Sequence, residues 1–163
     1  MTLQDIGAIG ELIGAIAVVL SLLYLAAQIR VNSQQIVEQS KALNLSSLNA
    51  VEESFSRFRI PIMSDPVTAN LWQLAMTDYK AIPEDQKAQA DMMLWEYFYC
   101  WANFLTRIEN GIVTAEGAQD RVRSNIIRNI KESRGIEPWW KENRAGFRPS
   151  FVEIVDEGFR DND

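Results

Sequence analysis

Three adjacent carboxylate pairs, Glu52-Glu53, Glu84-Asp85 and Asp156-Glu157, are the part of this 163-residue chain nearest to an acid–base device. Their spacing defeats the chemistry. Two groups that share a proton or a substrate must converge, whereas neighbours on a helix point about 100° apart. Solvated helix faces account for all three pairs. The sequence has no histidine and one cysteine. That removes the commonest general base and metal ligand, together with ordinary zinc, haem and Cys–His sites. Cys100 lies among aromatic and apolar residues and is expected to be a small buried hydrophobe. A lone cysteine forms no intrachain disulfide, in keeping with a cytoplasmic location. No glycine-rich phosphate loop, Gly-x-Ser-x-Gly elbow or Walker-type run occurs. The expectation is a protein without catalytic activity, metal or cofactor.

Two other sets of polar residues stand in unusual company. Glu11 is the single charge in the apolar run Ile6–Ala27, where a carboxylate at mid-membrane costs roughly 2.5–3.5 kcal/mol. It lies about five residues, or 7–8 Å of helical rise, inside one end of that run. Three readings stay open: contact with headgroup water, a protonated carboxyl bonded across helices, or a group lining a watery pore with Ser21 and Gln28. The second set is the run from Pro138 to Phe151, where Trp139, Trp140 and Phe147 interleave with Lys141, Arg144 and Arg148. Such a run packs into a core with its arginines paired to acids, contacts a partner, or sits at a membrane interface. Adjacent Trp139 and Trp140 are not expected to face one core, so one of them is a candidate partner contact, as are Arg144 and Arg148.

The elements that would position these groups begin with Ile6–Ala27, twenty-two residues that are nearly all apolar or small. At about 1.5 Å per residue this run crosses roughly 30 Å of hydrocarbon as one helix. The residues before it carry no base, unlike a cleaved signal, and it is longer and more uniformly apolar than a core helix. Arg30 and Lys41 follow the run, so the amino terminus is expected outside and the bulk of the chain in the cytoplasm. Gly7, Gly14, Ser21 and Gln28 recur every seven residues, and Gly10, Ala17 and Tyr24 do so with an offset of three. Together they form one seam of small or polar residues, including the Gly10–Gly14 GxxxG pair, while Leu12, Ile13, Ile16, Val19, Leu20 and Leu23 suit lipid. Helices in lipid associate where small residues allow close approach, so Gly7, Gly10, Gly14, Ala17, Ser21 and Tyr24 are the expected association face. Glu11 sits beside it, about 40° round the helix from Gly7.

The chain then turns polar without charge (Gln28, Asn32, Ser33, Gln34, Gln35, Gln39, Ser40) and has no Gly or Pro between Gly14 and Pro61. One helix is therefore expected to run from about residue 4 to 59, with Leu45, Leu48, Val51, Phe55, Phe58 and Ile62 as its apolar stripe and Pro61 as its end. Ser64-Asp65-Pro66 and Ile82-Pro83-Glu84-Asp85 open further helices. The second carries the core face Leu94, Tyr97, Phe98, Trp101, Leu105 and Ile108, and Asn110-Gly111 closes it. Thr114 is expected to cap the next helix, with Val122, Ile126, Ile127 and Ile130 inside and Gly135 beyond its end. Glu137-Pro138 and Arg148-Pro149 open the last two. No stretch alternates at period two. The expected fold is all-α: a transmembrane segment over 1–30 with the span at about 6–27, a polar neck and helical extension over 31–60, and a helical soluble domain over 61–163.

Apart from Arg30, Asp5 and Glu11, the chain carries fifteen Lys and Arg against twenty Asp and Glu. An acidic balance without a basic cluster argues against nucleic acid and against polybasic docking on anionic lipid. The amino-terminal pattern Gly7-Ala-Ile-Gly-Glu, Gly14-Ala, Tyr24-Leu-Ala, Gln28-Ile-Arg and Asn32, with the ending Trp139-Trp140, Arg144, Phe147, Pro149, Phe151 and Val155-Asp156, resembles an uncharacterised family of small bacterial proteins with one predicted span. The resemblance covers the two ends and implies a single-pass protein of the bacterial inner membrane. It carries over no activity, cofactor or catalytic residue. The expected function is a homo-oligomeric membrane-anchored scaffold or regulator, whose partners are itself, the bilayer and another membrane or cytoplasmic protein. The alternative is an oligomeric channel lined by Glu11, Ser21 and Gln28. A third reading is a ligand sensor with a pocket near Trp95, Tyr99 and Trp101.

Overall fold

The computed structural model describes residues 3–114 and 116–160, without the side chains of residues 3–6 and 8. Among the described residues the chain is all helical, with six α-helices, three single turns of 3-10 helix and no strand. α1 spans Leu3–Ser64, α2 Pro66–Thr77, α3 Glu84–Glu109, α4 Ala118–Glu132, α5 Glu137–Asn143 and α6 Pro149–Phe159. The chain divides into two compact units at Leu43 and Asn44. The packed unit therefore takes in the second half of the expected extension rather than beginning at residue 61.

Within the first unit α1 is long and apolar enough to cross a membrane. Its side chains are exposed from Ile9 to Leu43, which sets it apart from the buried core helix that the same composition can describe.

Local signals set most helix starts in the second unit. The Asp65 carboxylate accepts from the Thr68 hydroxyl at 2.5 Å and from Thr68 N–H at 2.8 Å, with Pro66 at the first helical position, and these bonds hold its carboxyl below the usual carboxylate range. Pro83 and Arg148 likewise precede α3 and α6. Two expectations fail. Pro61 does not end α1, which continues to Ser64. The proline removes one hydrogen bond in a last turn, where the Asp65 N–H still bonds Pro61 O at 3.2 Å and the Ser64 hydroxyl bonds Ile60 O at 2.8 Å. Thr114 does not cap α4, which starts after Gly117 in left-handed conformation (φ 65°). The Thr114 hydroxyl instead accepts from Asn44 Nδ2 at 2.9 Å.

The core is built around α3. Leu94, Tyr97, Phe98 and Leu105 are buried against Leu71 and Ala75 of α2, Val122, Ile126 and Ile130 of α4, and Phe151, Ile154 and Val155 of α6. Helices α4 and α6 touch at Gly158, where an added Cβ would lie 2.8 Å from Ile130. The expected apolar stripe of α1 holds over its second half, where Val51 is buried, Phe55 and Ile62 are half-buried and Phe58 packs against the core, and fails over its first. Leu45 and Leu48 are exposed, while Ser47 and Val51 are buried. Ser47 takes an inward position because the Arg107 guanidinium donates to its hydroxyl at 2.9 Å, which satisfies a polar group that burial would otherwise penalise.

Candidate functional site

The expected association face lies entirely on α1. Gly7, Gly10, Gly14, Ala17, Ser21 and Tyr24 are exposed, as are Glu11 and Gln28. By helix geometry the six face residues and Gln28 occupy an arc of about 100°. A Cβ added at Gly7, Gly10 or Gly14 would meet nothing within 4 Å, so no contact inside the chain calls for glycine there. The Ser21 hydroxyl donates to Ala17 O at 2.8 Å, as Ser33 does to Ile29 O. The seam serine is thus internally satisfied, which makes it compatible with an apolar surrounding.

The carboxy-terminal run takes the packed form among its expected readings, with its arginines paired to acids. Both Trp139 and Trp140 are buried, each about 1 % exposed. The expectation that they could not share a core fails because α5 is short and covered on two sides. Trp139 stacks on Phe98 at 5.4 Å and meets Trp95 edge-on at 5.3 Å. Trp140 lies 4.8 Å from Phe98 and packs on Phe147 and Phe151. Trp140 Nε1 donates to Asp156 Oδ1 at 2.7 Å, whereas Trp139 Nε1 is buried without an acceptor among the described residues. Arg144 pairs with Asp156 at 2.7 Å, and Arg148 pairs with Glu109 at 2.6 Å while donating to Thr106. Both arginines tie the domain together, and neither tryptophan is presented to a partner.

The carboxylate pairs do diverge, though not all are solvated faces. Glu52 pairs with Arg59 and Glu53 with Arg57. Asp156 turns toward Trp140 and Arg144, and its neighbour Glu157 turns toward Arg123 of α4. This last pair is half-buried and serves two interhelical ties. Cys100 is buried, and burial, with the negative charge of Glu96 nearby, pushes its thiol up to about 11. A thiolate is therefore disfavoured at neutral pH. Burial likewise pushes the Tyr97 hydroxyl up to about 12. The Tyr79 hydroxyl, buried and donating to Asp91 at 2.6 Å, is also raised.

The pocket expected near Trp95, Tyr99 and Trp101 is not one site, because the fold separates them. Trp95 stacks with Tyr99 at 5.5 Å and with Phe147 at 5.0 Å. Trp101 faces the other way, edge-on to Phe55 of α1 at 5.0 Å. There it walls an open cleft of about 510 Å³ with Val51, Phe104 and Asn125. A second groove of about 390 Å³, lined by Phe58, Pro61, Met92 and Met93, adjoins exposed Met63 and Val67. Neither was legible in advance, because each needs helices far apart in sequence. Comparison with family profiles, curated proteins and solved structures finds no match to this chain.

Proposed function

We propose that this chain is a single-pass protein of the bacterial inner membrane that self-associates through α1 and carries a non-catalytic scaffolding or regulatory domain in the cytoplasm. The observation that supports it most is the exposure of α1. Leu12, Ile13, Ile16, Val19, Leu20 and Leu23 are all exposed in the single chain, beside glycines that no intrachain contact explains. Exposed apolar surface of that extent marks a membrane or protein interface. The apolar run Ile6–Ala27, twenty-two residues long, suits the hydrocarbon of a bilayer. Small residues on one arc then suit close helix approach within it. The bases Arg30 and Lys41 favour a cytoplasmic carboxy-terminal side. In the acidic helical domain the half-buried carboxylates of Glu109, Asp156 and Glu157 are committed to ion pairs between elements, which supports an interaction role over a chemical one.

The test is native mass spectrometry of the full-length protein in nanodiscs, with Gly10→Leu/Gly14→Leu as the comparison. A dimer or trimer that falls to monomer in the double variant is the expected result. A wild-type monomer, or an oligomer unchanged by the two leucines, overturns self-association through the seam. A ring of five or more supports the channel reading, and Glu11→Gln in liposome flux then decides whether Glu11 faces its lumen.

A further inference from the structure

We propose that the cleft between α1, α3 and α4 binds an uncharged, planar heteroaromatic small molecule carrying a ring-nitrogen or carbonyl acceptor. This inference concerns the packed unit alone and stands whatever the oligomeric state. In this stretch α1 reaches α3 through large rings: Phe55 meets Trp101 edge-to-face at 5.0 Å with the planes at 70°. Rings at that spacing hold the two helices apart and leave an opening beside them. The opening is about 510 Å³, within the range of roughly 300–1,000 Å³ typical of small-molecule sites.

Its walls fix the shape and polarity of the occupant. Val51, Phe55, Trp101 and Phe104 give apolar faces on two sides, suited to a flat ring that stacks on one aromatic and meets the edge of another. At the mouth stand Asn49, Asn125, Glu52 and Arg59. Glu52 and Arg59 pair with each other at 2.9 Å, so the lining carries no net charge and offers a charged ligand no uncompensated partner. The Asn125 carbonyl already accepts from Arg128 at 3.1 Å. Both NH2 hydrogens of Asn125 remain to donate, so a ligand that brings an acceptor meets them. A planar lactam or a ring nitrogen supplies one.

The test uses 6-fluoro-2-quinolone, a planar uncharged lactam, against full-length protein in nanodiscs by fluorine NMR, with empty nanodiscs as the blank. Binding with a Kd below about 1 mM is expected for a fragment of this size. 4-Fluorobenzoate should bind at least tenfold more weakly. Asn49→Trp, at an exposed position on the mouth, should fill the opening and weaken the lactam at least tenfold; Asn125→Ala should weaken it severalfold. No lactam binding up to several millimolar overturns the proposal. Equal binding of benzoate overturns the ligand class. Unchanged binding in both variants, each with a wild-type circular dichroism spectrum, overturns the site.

Discussion

Replacing Gly135 with alanine should be the most damaging of this protein's glycine-to-alanine changes. Gly135 sits in the 3-10 turn Arg134–Ile136, which packs on the end of α2. A Cβ there would lie 1.9 Å from the Thr77 carbonyl carbon, 2.1 Å from its oxygen and 2.4 Å from Asp78 N. All three are main-chain atoms at the carboxy-terminal end of a helix, and none can rotate away. Ordinary contact needs about 3.4 Å or more between such atoms, so the turn would have to retreat by roughly 1.5 Å. Ile136 is fully buried beside it, and Trp139 and Trp140 follow within the next turn of chain, so the retreat would loosen the aromatic core as well. Overpacking that side chains can absorb costs about 1–3 kcal/mol. Backbone on both sides puts this case at or above about 3 kcal/mol, a fall in midpoint on the order of 10 °C for a domain of this size.

The assay is thermal unfolding followed by near-ultraviolet circular dichroism, with two other glycines as calibrants. Gly111 has φ +67° and open space around a would-be Cβ, so Gly111→Ala carries only a backbone penalty of about 1 kcal/mol. Gly7 has open space and lies within α1, so Gly7→Ala should leave the domain's transition unmoved. The order Gly135, then Gly111, then Gly7 is required. A Gly135→Ala midpoint no lower than that of Gly111→Ala would refute the close approach of the turn to α2.

Further outcomes follow from the same contacts. Trp140→Phe should cost about 1–2 kcal/mol more than Trp139→Phe in urea unfolding. The two lose similar ring volume, but only Trp140 gives up a hydrogen bond to a carboxylate, Asp156. Arg148→Ala should destabilise by about 1 kcal/mol or less, because its Glu109 bridge is half-exposed, and high salt should shrink the difference. Stability should fall with alkaline pH from about 9, the ordinary thiol value, to about 11, the Cys100 value. In that window the unfolded chain loses the thiol proton while the folded chain keeps it. Cys100→Ala should flatten that part of the pH profile, read as the denaturant midpoint at pH 8, 9 and 10.5.

Most helix boundaries were legible because they are local. Asp65-Pro66, Pro83-Glu84 and Arg148-Pro149 act on one turn of backbone through a cap, a fixed φ or a missing N–H, whatever surrounds them. Pro61 and Thr114 show the limit of such rules. A proline in a final turn forfeits little, and a threonine hydroxyl is free to choose a distant partner, here Asn44.

What the sequence determined by itself was a helical chain, one helix apolar and long enough to cross a membrane, and a composition without histidine and with a single cysteine. Length, periodicity and composition are properties of the chain alone, and they survive any folding. Only the tertiary structure decided that both Trp139 and Trp140 are buried, that Asp156 and Glu157 serve different helices, and that Ser47 rather than Leu48 faces inward beside Arg107. It also decided that Phe55 and Trp101 prop open a cleft with Asn125 at its mouth. A helix's own periodicity says which of its faces is apolar. What closes on that face, and what polar partner makes burial tolerable, is set by segments tens of residues away.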